Sequence, residues 1–156
     1  MRGRTVSVSE YGALAGTEIG VSRWFALDQA RISAFADVTE DRQFIHVDPV
    51  AAASTPFGGT IAHGFLTLSL FSAMADDVLP TVEGTVMGVN YGFNSIRFLN
   101  PVPVDRRVRG RFLLKDIAER SGDRLLSTLG VTVEIENEDR PAAVAEWLTL
   151  LVTAGG

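Results

Sequence analysis

The side chains best suited to proton transfer in this sequence are two histidines, His46 and His63, and one aspartate, Asp41. Asp41 precedes His46 by five residues, in a polar stretch that is predicted to be a loop. An aspartate and a histidine that lie close together in a loop can hold and polarise one water molecule, which is general acid–base chemistry. Such pairs are also common in ordinary solvated loops, so the spacing alone leaves both interpretations open.

A glycine-rich segment, residues 58–64, reads Gly-Gly-Thr-Ile-Ala-His-Gly and leads into an apolar stretch. Glycines at the start of a helix let a ligand approach the backbone closely. The free N–H groups at that end carry partial positive charge and can hold an anion or a developing oxyanion. A glycine-rich turn that serves only to begin the helix is the alternative interpretation.

Composition excludes several classes of function. The net charge of -5, from 14 basic and 19 acidic residues, argues against binding to nucleic acid or to an anionic membrane. The sequence has no cysteine, which excludes disulfides, thiol nucleophiles and cysteine metal sites. Two histidines seventeen residues apart fit no common metal-ligand spacing, and no phosphate-binding or dinucleotide motif is present. We therefore predict no metal and no cofactor.

The chain shows no segment that would place it in a membrane or mark it for export. The most apolar stretch, residues 61–75, is shorter than the about 20 residues that a membrane span needs. The two arginines in residues 1–10 are not followed by the apolar run of a signal peptide. We expect a cytoplasmic protein.

The first half of the chain is predicted to be mostly helical. A strand is possible at residues 21–26, and Asp28 is a plausible N-cap for the helix that follows. Asp48, followed by proline, indicates a short helix through residue 53. Residues 61–76 are predicted to form a long helix that is apolar on every side, and such a helix is usually buried on every side.

The second half changes to a period of two, which is typical of strands with one polar and one apolar face. A turn at Ser121-Gly122-Asp123 separates two of the strands. The four predicted strands are residues 84–98, 107–117, 125–136 and 143–152. The pattern predicts one α+β domain over residues 1–156, a long antiparallel sheet wrapped around a buried helix. A sheet edge of this length needs a partner, so we expect a homodimer.

The motif Asp-Arg-Gln-Phe-Ile-His, residues 41–46, together with the glycine-rich segment resembles the hydratase motif of MaoC-like enoyl-CoA hydratases. The pattern of that family is Asp, any residue, Asn, Pro, an apolar residue and His, with a glycine eighteen residues later. Gly64 follows His46 by eighteen residues here. The resemblance covers the whole chain. It is closest to the nodulation-protein-N-like branch, which has a segment similar to Gly-Val-Asn-Tyr-Gly, residues 88–92.

The resemblance implies a hot-dog fold and an (R)-specific enoyl-CoA hydratase that adds water to a trans-2-enoyl-CoA or catalyses the reverse dehydration. Asp41 and His46 would hold the water and handle its protons. The Gly64 backbone N–H would stabilise the enolate-like thioester oxygen. Ser72 and His63 would support the site by orientation and packing. Coenzyme A would enter only as part of the acyl-CoA substrate.

One departure from the family pattern concerns the loop, where Gln43-Phe44 stands in place of Asn-Pro. Glutamine keeps the amide, and the loss of proline restores freedom in φ. We expect Phe44 to contact the acyl chain, and Asn90, Tyr91 and Arg97 to contact substrate from the first long strand. Asn90 and Tyr91 could equally be satisfied core groups, and Arg97 could simply belong to a polar face.

Three other functions stay open. An acyl-carrier-protein thioester could replace the CoA thioester, which makes the protein a 3-hydroxyacyl-carrier-protein dehydratase. A non-catalytic module that binds acyl thioesters is expected if Asp41 and His46 are too far apart to share a water. An acyl-CoA thioesterase on this fold would need a carboxylate at the start of the buried helix, and residues 60–70 contain none.

Overall fold

The computed structural model describes residues 4–120 and 123–154. Short helices and strands come first and four long strands follow. In chain order the elements are β1 Thr5–Val6, α1 Val8–Gly12, β2 Thr17–Val21, β3 Phe25–Leu27, α2 Gln29–Thr39, α3 Phe44–Val47, α4 Pro49–Ala53, α5 Gly64–Ser69, α6 Phe71–Ala75, β4 Thr81–Val82, β5 Thr85–Phe98, β6 Arg106–Arg120, β7 Arg124–Ile135 and β8 Ala143–Thr153. None of the described helices is long and apolar enough to cross a membrane.

The long strands form one antiparallel sheet in the order β2-β6-β7-β8-β5, and β3 also pairs with β6. A small parallel pair, β1 with β4, lies apart from it. The four strands predicted from the period-two pattern are confirmed to within a few residues at each end. In the predicted turn, Asp123 has φ 54°, while residues 121 and 122 lie outside the described residues.

The single strand predicted at residues 21–26 was wrong. The chain forms two shorter strands there, β2 and β3, which both pair with β6. Ser22 marks the break between them, because its Oγ accepts a hydrogen bond from the Gly110 N–H at 3.0 Å. The Ser22 side chain, instead of a strand backbone, thus accepts a hydrogen bond from β6 in the gap between β2 and β3.

The two caps predicted in the first half are confirmed. The Asp28 side chain accepts a hydrogen bond from the Arg31 N–H at the start of α2. Asp48 caps α4 in the same way, with Pro49 at the first helical position. These caps fix the start of α2, the helix before the polar loop of residues 40–43, and the start of α4, which follows α3.

The long helix predicted at residues 61–76 was wrong in its start and in its burial. Ile61 pairs with Pro103 as an isolated bridge, so the helix begins only at Gly64. It is interrupted at Leu70, which separates α5 from α6. One side is also open to solvent, since Phe65 is 65% exposed and Ser69, Ser72 and Asp76 are exposed as well.

The opposite side of α5 and α6 packs on the sheet and forms the core. Phe71 contacts the Trp147 ring of β8, with the ring centroids 5.9 Å apart. Met74 reaches β6 at Gly110, where an added Cβ would lie 3.1 Å from the Met74 Sδ and 2.7 Å from the Phe112 ring. A glycine is therefore needed at this position for α6 to lie so close to the strand.

Among the described residues, the strand β5 lies at the edge of the sheet and pairs with β8. Its register shifts at three places, which are bulges in the ladder. Several of its apolar side chains are exposed, among them Val86, Met87, Val89, Tyr91 and Phe93. An apolar edge strand of fourteen residues is unusual for a surface that faces water alone.

Candidate active site

His46 lies in the short helix α3, and its side chain is buried with only 7% of the residue exposed. Its Nδ1 lies 2.7 Å from the carbonyl oxygen of Ile61. Because a carbonyl oxygen can only accept, Nδ1 carries the proton and donates it. This fixes the tautomer and leaves Nε2 with a free lone pair, the form that a general base requires.

The environment lowers the pKa of His46 from its ordinary value of 6.5. Burial is the main cause, because it disfavours the charged imidazolium. The hydrogen bond to Ile61 opposes this shift, His63 adds to it, and the charge of Asp41 opposes it. Because the pKa of His46 is lowered overall, the imidazole is neutral at pH 7 and its Nε2 is available to accept a proton.

The backbone of His46 is held by Gln29, the first residue of α2. The Gln29 Nε2 donates to the His46 carbonyl oxygen at 2.8 Å, and its Oε1 accepts from the Thr60 Oγ1 at 2.6 Å. Thr60 directly precedes Ile61, so one amide ties α3 to the segment that orients the His46 ring. Sequence reasoning missed Gln29, because a glutamine in a first helical turn carries no distinguishing signal.

Asp41 lies in the exposed loop between α2 and α3. One oxygen of its carboxylate, one ring nitrogen of His46 and one of His63 all lie within 4.8 Å of one another. A water molecule forms hydrogen bonds of about 2.8 Å, so a single water can bridge two groups at this separation. The structure thus brings Asp41 and His46 close enough to share one.

His63 directly precedes α5 and is 2% exposed. Its Nε2 donates a hydrogen bond to the backbone carbonyl oxygen of Asp41 at 2.9 Å. Its ring stacks on that of His46, with centroids 3.8 Å apart and planes tilted by 26°. The Phe35 ring lies 5.0 Å away, and the His63 Nδ1 is buried with no hydrogen-bond partner among the described residues.

These three side chains are near enough to suggest metal ligands, but the stacking is unfavourable for that role. An imidazole binds a metal along the lone pair in its own ring plane, at about 2.0–2.1 Å for zinc. Two stacked rings whose centroids lie 3.8 Å apart and whose planes are tilted by only 26° do not have planes that meet within that distance of the ring nitrogens. A metal in the plane of one ring is therefore far out of the plane of the other.

A pocket of about 310 Å³ opens beside His46 and Gly64. Most of its lining is apolar, and Phe98, Pro101 and Val102 form part of the wall. Gly64 is the first residue of α5, so its N–H is among the donors that have no acceptor within the helix. The pocket thus places a basic nitrogen and a free backbone donor on one apolar cavity.

Gly64 itself is tightly covered by the Phe98 ring. A Cβ added at Gly64 would lie 3.0 Å from two carbons of that ring. Phe98 ends β5, and its ring also contacts Phe65 edge-on with centroids 6.0 Å apart. Close packing against Phe98 therefore favours a residue without a side chain at Gly64.

Several residues predicted to contact substrate, and Ser72, predicted to support the site, lie elsewhere. Phe44 is the exposed first residue of α3, and Ser72 lies on the exposed side of α6. Asn90, Tyr91 and Arg97 are exposed on β5. None of these five is among the described residues that line the pocket beside His46. Their predicted roles are therefore not explained by the geometry within one chain.

Comparison with known proteins gives the family. The model of the MaoC like domain matches residues 10–137. The chain belongs to the MaoC-like dehydratase family. Nodulation protein N of Rhizobium meliloti is 51% identical over 146 residues, which are 93% of this chain and 91% of that protein. The 3-hydroxyacyl-thioester dehydratase Z of Mycobacterium tuberculosis is 44% identical, over 90% of this chain and 92% of that protein.

The fold is also that of the family. The solved structure of the (R)-hydratase from A. caviae involved in PHA biosynthesis matches with a TM-score of 0.70 and 28% identity. The match covers 85% of this chain and 95% of that chain. The predicted α+β hot-dog fold and the resemblance to the nodulation-protein-N-like branch of MaoC-like proteins are confirmed. Relatives in this family are named hydratases and dehydratases, so hydro-lyase chemistry is the activity of the family.

Proposed function

We propose that this MaoC-like protein is an (R)-specific hydro-lyase that adds water to a trans-2-enoyl-CoA and also catalyses the reverse dehydration. The observation that carries the proposal is the state of His46. The Ile61 carbonyl holds the Nδ1 proton, and a carboxylate oxygen of Asp41 lies within 4.8 Å of a ring nitrogen of His46. A neutral base at an apolar pocket, with a carboxylate beside that base, suits the activation of one water.

In the proposed reaction, one water lies between the Asp41 carboxylate and the His46 Nε2. As the water oxygen bonds to the β-carbon of the substrate, Nε2 takes one of its protons. The electron pair of the double bond moves through the α-carbon to the thioester oxygen, which becomes enolate-like. The imidazolium then returns its proton to the α-carbon, so that one H and one OH have been added in all.

We propose that the Gly64 N–H stabilises the enolate-like oxygen. A preorganised backbone donor in a site that excludes water is worth more than the same donor in water. The carbonyl would enter the pocket beside Gly64, with the acyl chain along the apolar wall near Phe98. The (R) configuration and the choice of coenzyme A are inferred from the family and from the A. caviae (R)-hydratase.

The alternatives are less well supported. A non-catalytic acyl-thioester module would not need a histidine with its base nitrogen kept free beside a carboxylate. A thioesterase would need a carboxylate at the start of α5, which the sequence does not provide. The 44% identity to the mycobacterial dehydratase Z supports dehydration of a 3-hydroxyacyl thioester, which is the reverse of the proposed reaction and not a separate function. Dehydration would use the same site.

We also propose that the protein is a homodimer built on β5. This strand is the unpaired edge of the sheet, and its exposed side chains include Tyr91, which is 63% exposed. Pairing with the same strand of a second copy would bury the apolar side chains and satisfy the free backbone groups. Residues such as Asn90 and Ser72 would then face the partner, which would explain their distance from the pocket within one chain. A cytoplasmic location and the absence of a metal or cofactor stay predictions.

The test is hydration of crotonyl-CoA, followed by the loss of the conjugated enoyl-thioester absorbance, with chiral analysis of the product. We expect the (R)-3-hydroxyacyl product from the wild type. Asp41→Asn and His46→Gln should each lower kcat by about 10²–10⁴-fold, the usual contribution of general acid–base catalysis.

Asp139→Asn is the matched control, because Asp139 is an exposed carboxylate between β7 and β8 and lies outside the loop that carries Asp41. It should retain the activity of the wild type. Full activity in both Asp41→Asn and His46→Gln would show that the site is assigned wrongly. If the wild type acted only on 3-hydroxyacyl or enoyl thioesters of a carrier protein, the proposed substrate would be a carrier-protein thioester instead of a CoA thioester.

A further inference from the structure

His63 contacts two of the three groups assigned to catalysis and directly precedes the third. Its Nε2 bonds to the Asp41 carbonyl oxygen at 2.9 Å, and its ring stacks on His46 at 3.8 Å. It is the N-cap residue of α5, so Gly64 is its neighbour in the chain. A histidine with only 2% of its surface exposed is thus placed between the loop of the carboxylate and the base.

The loop that carries Asp41 has few other restraints. The pair of Arg42 with Asp37, at 3.0 Å, is formed by side chains that are 66% and 62% exposed. Exposed pairs of this kind contribute about 0–1 kcal/mol and are screened by salt. Glu40 has a positive φ of 61°, which ends α2 and leaves the loop without helical hydrogen bonds. The hydrogen bond from the buried His63 ties the backbone of this loop to the start of α5.

We propose that His63 is a positioning residue that holds the Asp41 carboxylate beside His46 by donating a hydrogen bond from its Nε2 to the Asp41 carbonyl. The bond works through the backbone, so it fixes the loop without occupying the carboxylate. Asp41 therefore keeps both oxygens available for water. The ring of His63 adds a second effect, because it covers one face of the His46 imidazole and keeps water away from it.

The inference rests on the proposed function for its effect on rate, but the position of Asp41 can be measured without any substrate. A displacement of about 1 Å at a catalytic group can lower the rate by about 100-fold. Loss of the bond should therefore lower kcat far more than it changes the binding of substrate.

Two substitutions separate the hydrogen bond from the ring. His63→Phe keeps an aromatic ring on His46 but has no donor for Asp41. His63→Gln carries an amide N–H at about the distance of the histidine Nε2 but has no ring. We expect His63→Phe to lower kcat by about 10–100-fold, with KM changed by less than about threefold. His63→Gln should recover a large part of that loss. If His63→Phe does not fold, His63→Leu replaces it.

The second measurement needs no activity. The chain has only two histidines, so in any His63 variant the imidazole NMR signals belong to His46 alone. The charge of Asp41 raises the pKa of His46. This charge is the smallest of the four causes that act on the pKa of His46, so Asp41→Asn should lower that pKa by a small but measurable amount in the His63→Gln background. In the His63→Phe background the same substitution should have a still smaller effect, because the carboxylate has already moved away.

The outcomes are distinct. A wild type that hydrates no enoyl thioester would refute the proposed function, and the NMR titration would still test the role of His63. The same effect of Asp41→Asn in both backgrounds would show that the hydrogen bond does not hold the carboxylate in place. Equal kcat values for His63→Phe and the wild type would contradict the inference that His63 positions Asp41 for catalysis.

Discussion

The polar groups of this protein are arranged in opposite ways in two regions. On the outer side of β6 and β7, which we call the ionic face, charged side chains are paired. Arg109 and Arg111 both donate to the Glu134 carboxylate, at 2.6 and 2.7 Å, and Arg107 pairs with Glu136. In the active-site region, His46 has one nitrogen bound to a backbone carbonyl and the other left free.

The comparison distinguishes polar side chains that stabilise the fold from polar side chains that are available for chemistry. The arginines of the ionic face alternate along β6 with buried residues such as Val108 and Phe112, so they form the polar side of a strand. Their charges are balanced by the carboxylates of Glu134 and Glu136. At His46 and His63 the hydrogen bonds go to backbone atoms, which fixes the rings in place and leaves a nitrogen of each ring free.

Of the three changes that test this comparison, displacement of the Gly64 N–H donor in the active-site region should have the largest effect. Gly64→Ala places a Cβ 3.0 Å from the Phe98 ring, so the ring must move into the pocket or α5 must shift. We expect kcat/KM to fall by about 10–100-fold, because the oxyanion donor is displaced. Gly59→Ala is the matched control, since nothing lies within 4 Å of an added Cβ there. Equal activity of the two variants would contradict a role for Gly64.

A smaller effect is expected on the ionic face. Glu134→Gln removes the shared partner of Arg109 and Arg111, and we expect it to lower the free energy of unfolding by at most about 1 kcal/mol. Burial raises the pKa of Glu134, but the hydrogen bonds from Arg109 and Arg111 outweigh this and lower it. The stabilisation by Glu134 should therefore be present above the pKa that Glu134 has in the unfolded chain. It should be lost as the pH falls through the lowered pKa of Glu134 in the folded protein.

Urea unfolding of the wild type and of Glu134→Gln at pH 7 and at pH 3 measures this contribution. The difference between them should shrink at pH 3 and in high salt, while kcat/KM on crotonyl-CoA stays the same at neutral pH. A loss of activity comparable to that of Gly64→Ala would mean that the ionic face takes part in catalysis.

The smallest effect should be the loss of activity in mild acid. His46 must be neutral to accept a proton, and its pKa lies below the ordinary value of 6.5 mainly because the ring is buried. A base with pKa 6.5 would lose half of its activity at pH 6.5. We therefore expect kcat/KM to fall by less than half between pH 8 and pH 6.5, with the acid limb below that value. An acid limb at or above pH 6.5 would show that the basic group is not a buried His46.

The sequence by itself determined the long strands, the caps at Asp28 and Asp48, and the family. Period-two alternation and N-cap residues act locally, so these features can be recognised without any knowledge of the rest of the chain. The motif around Asp41 and His46 indicated the chemistry through residue types and spacing.

Only the tertiary structure decided where the helix begins and how the histidines are used. Ile61 is as apolar as its helical neighbours, but it pairs with Pro103, and its carbonyl then orients the His46 ring. The contacts of His63 with the Asp41 backbone and with His46 join segments more than fifteen residues apart. Backbone carbonyls are present at every residue, so no pattern of side chains marks the ones that a fold will use.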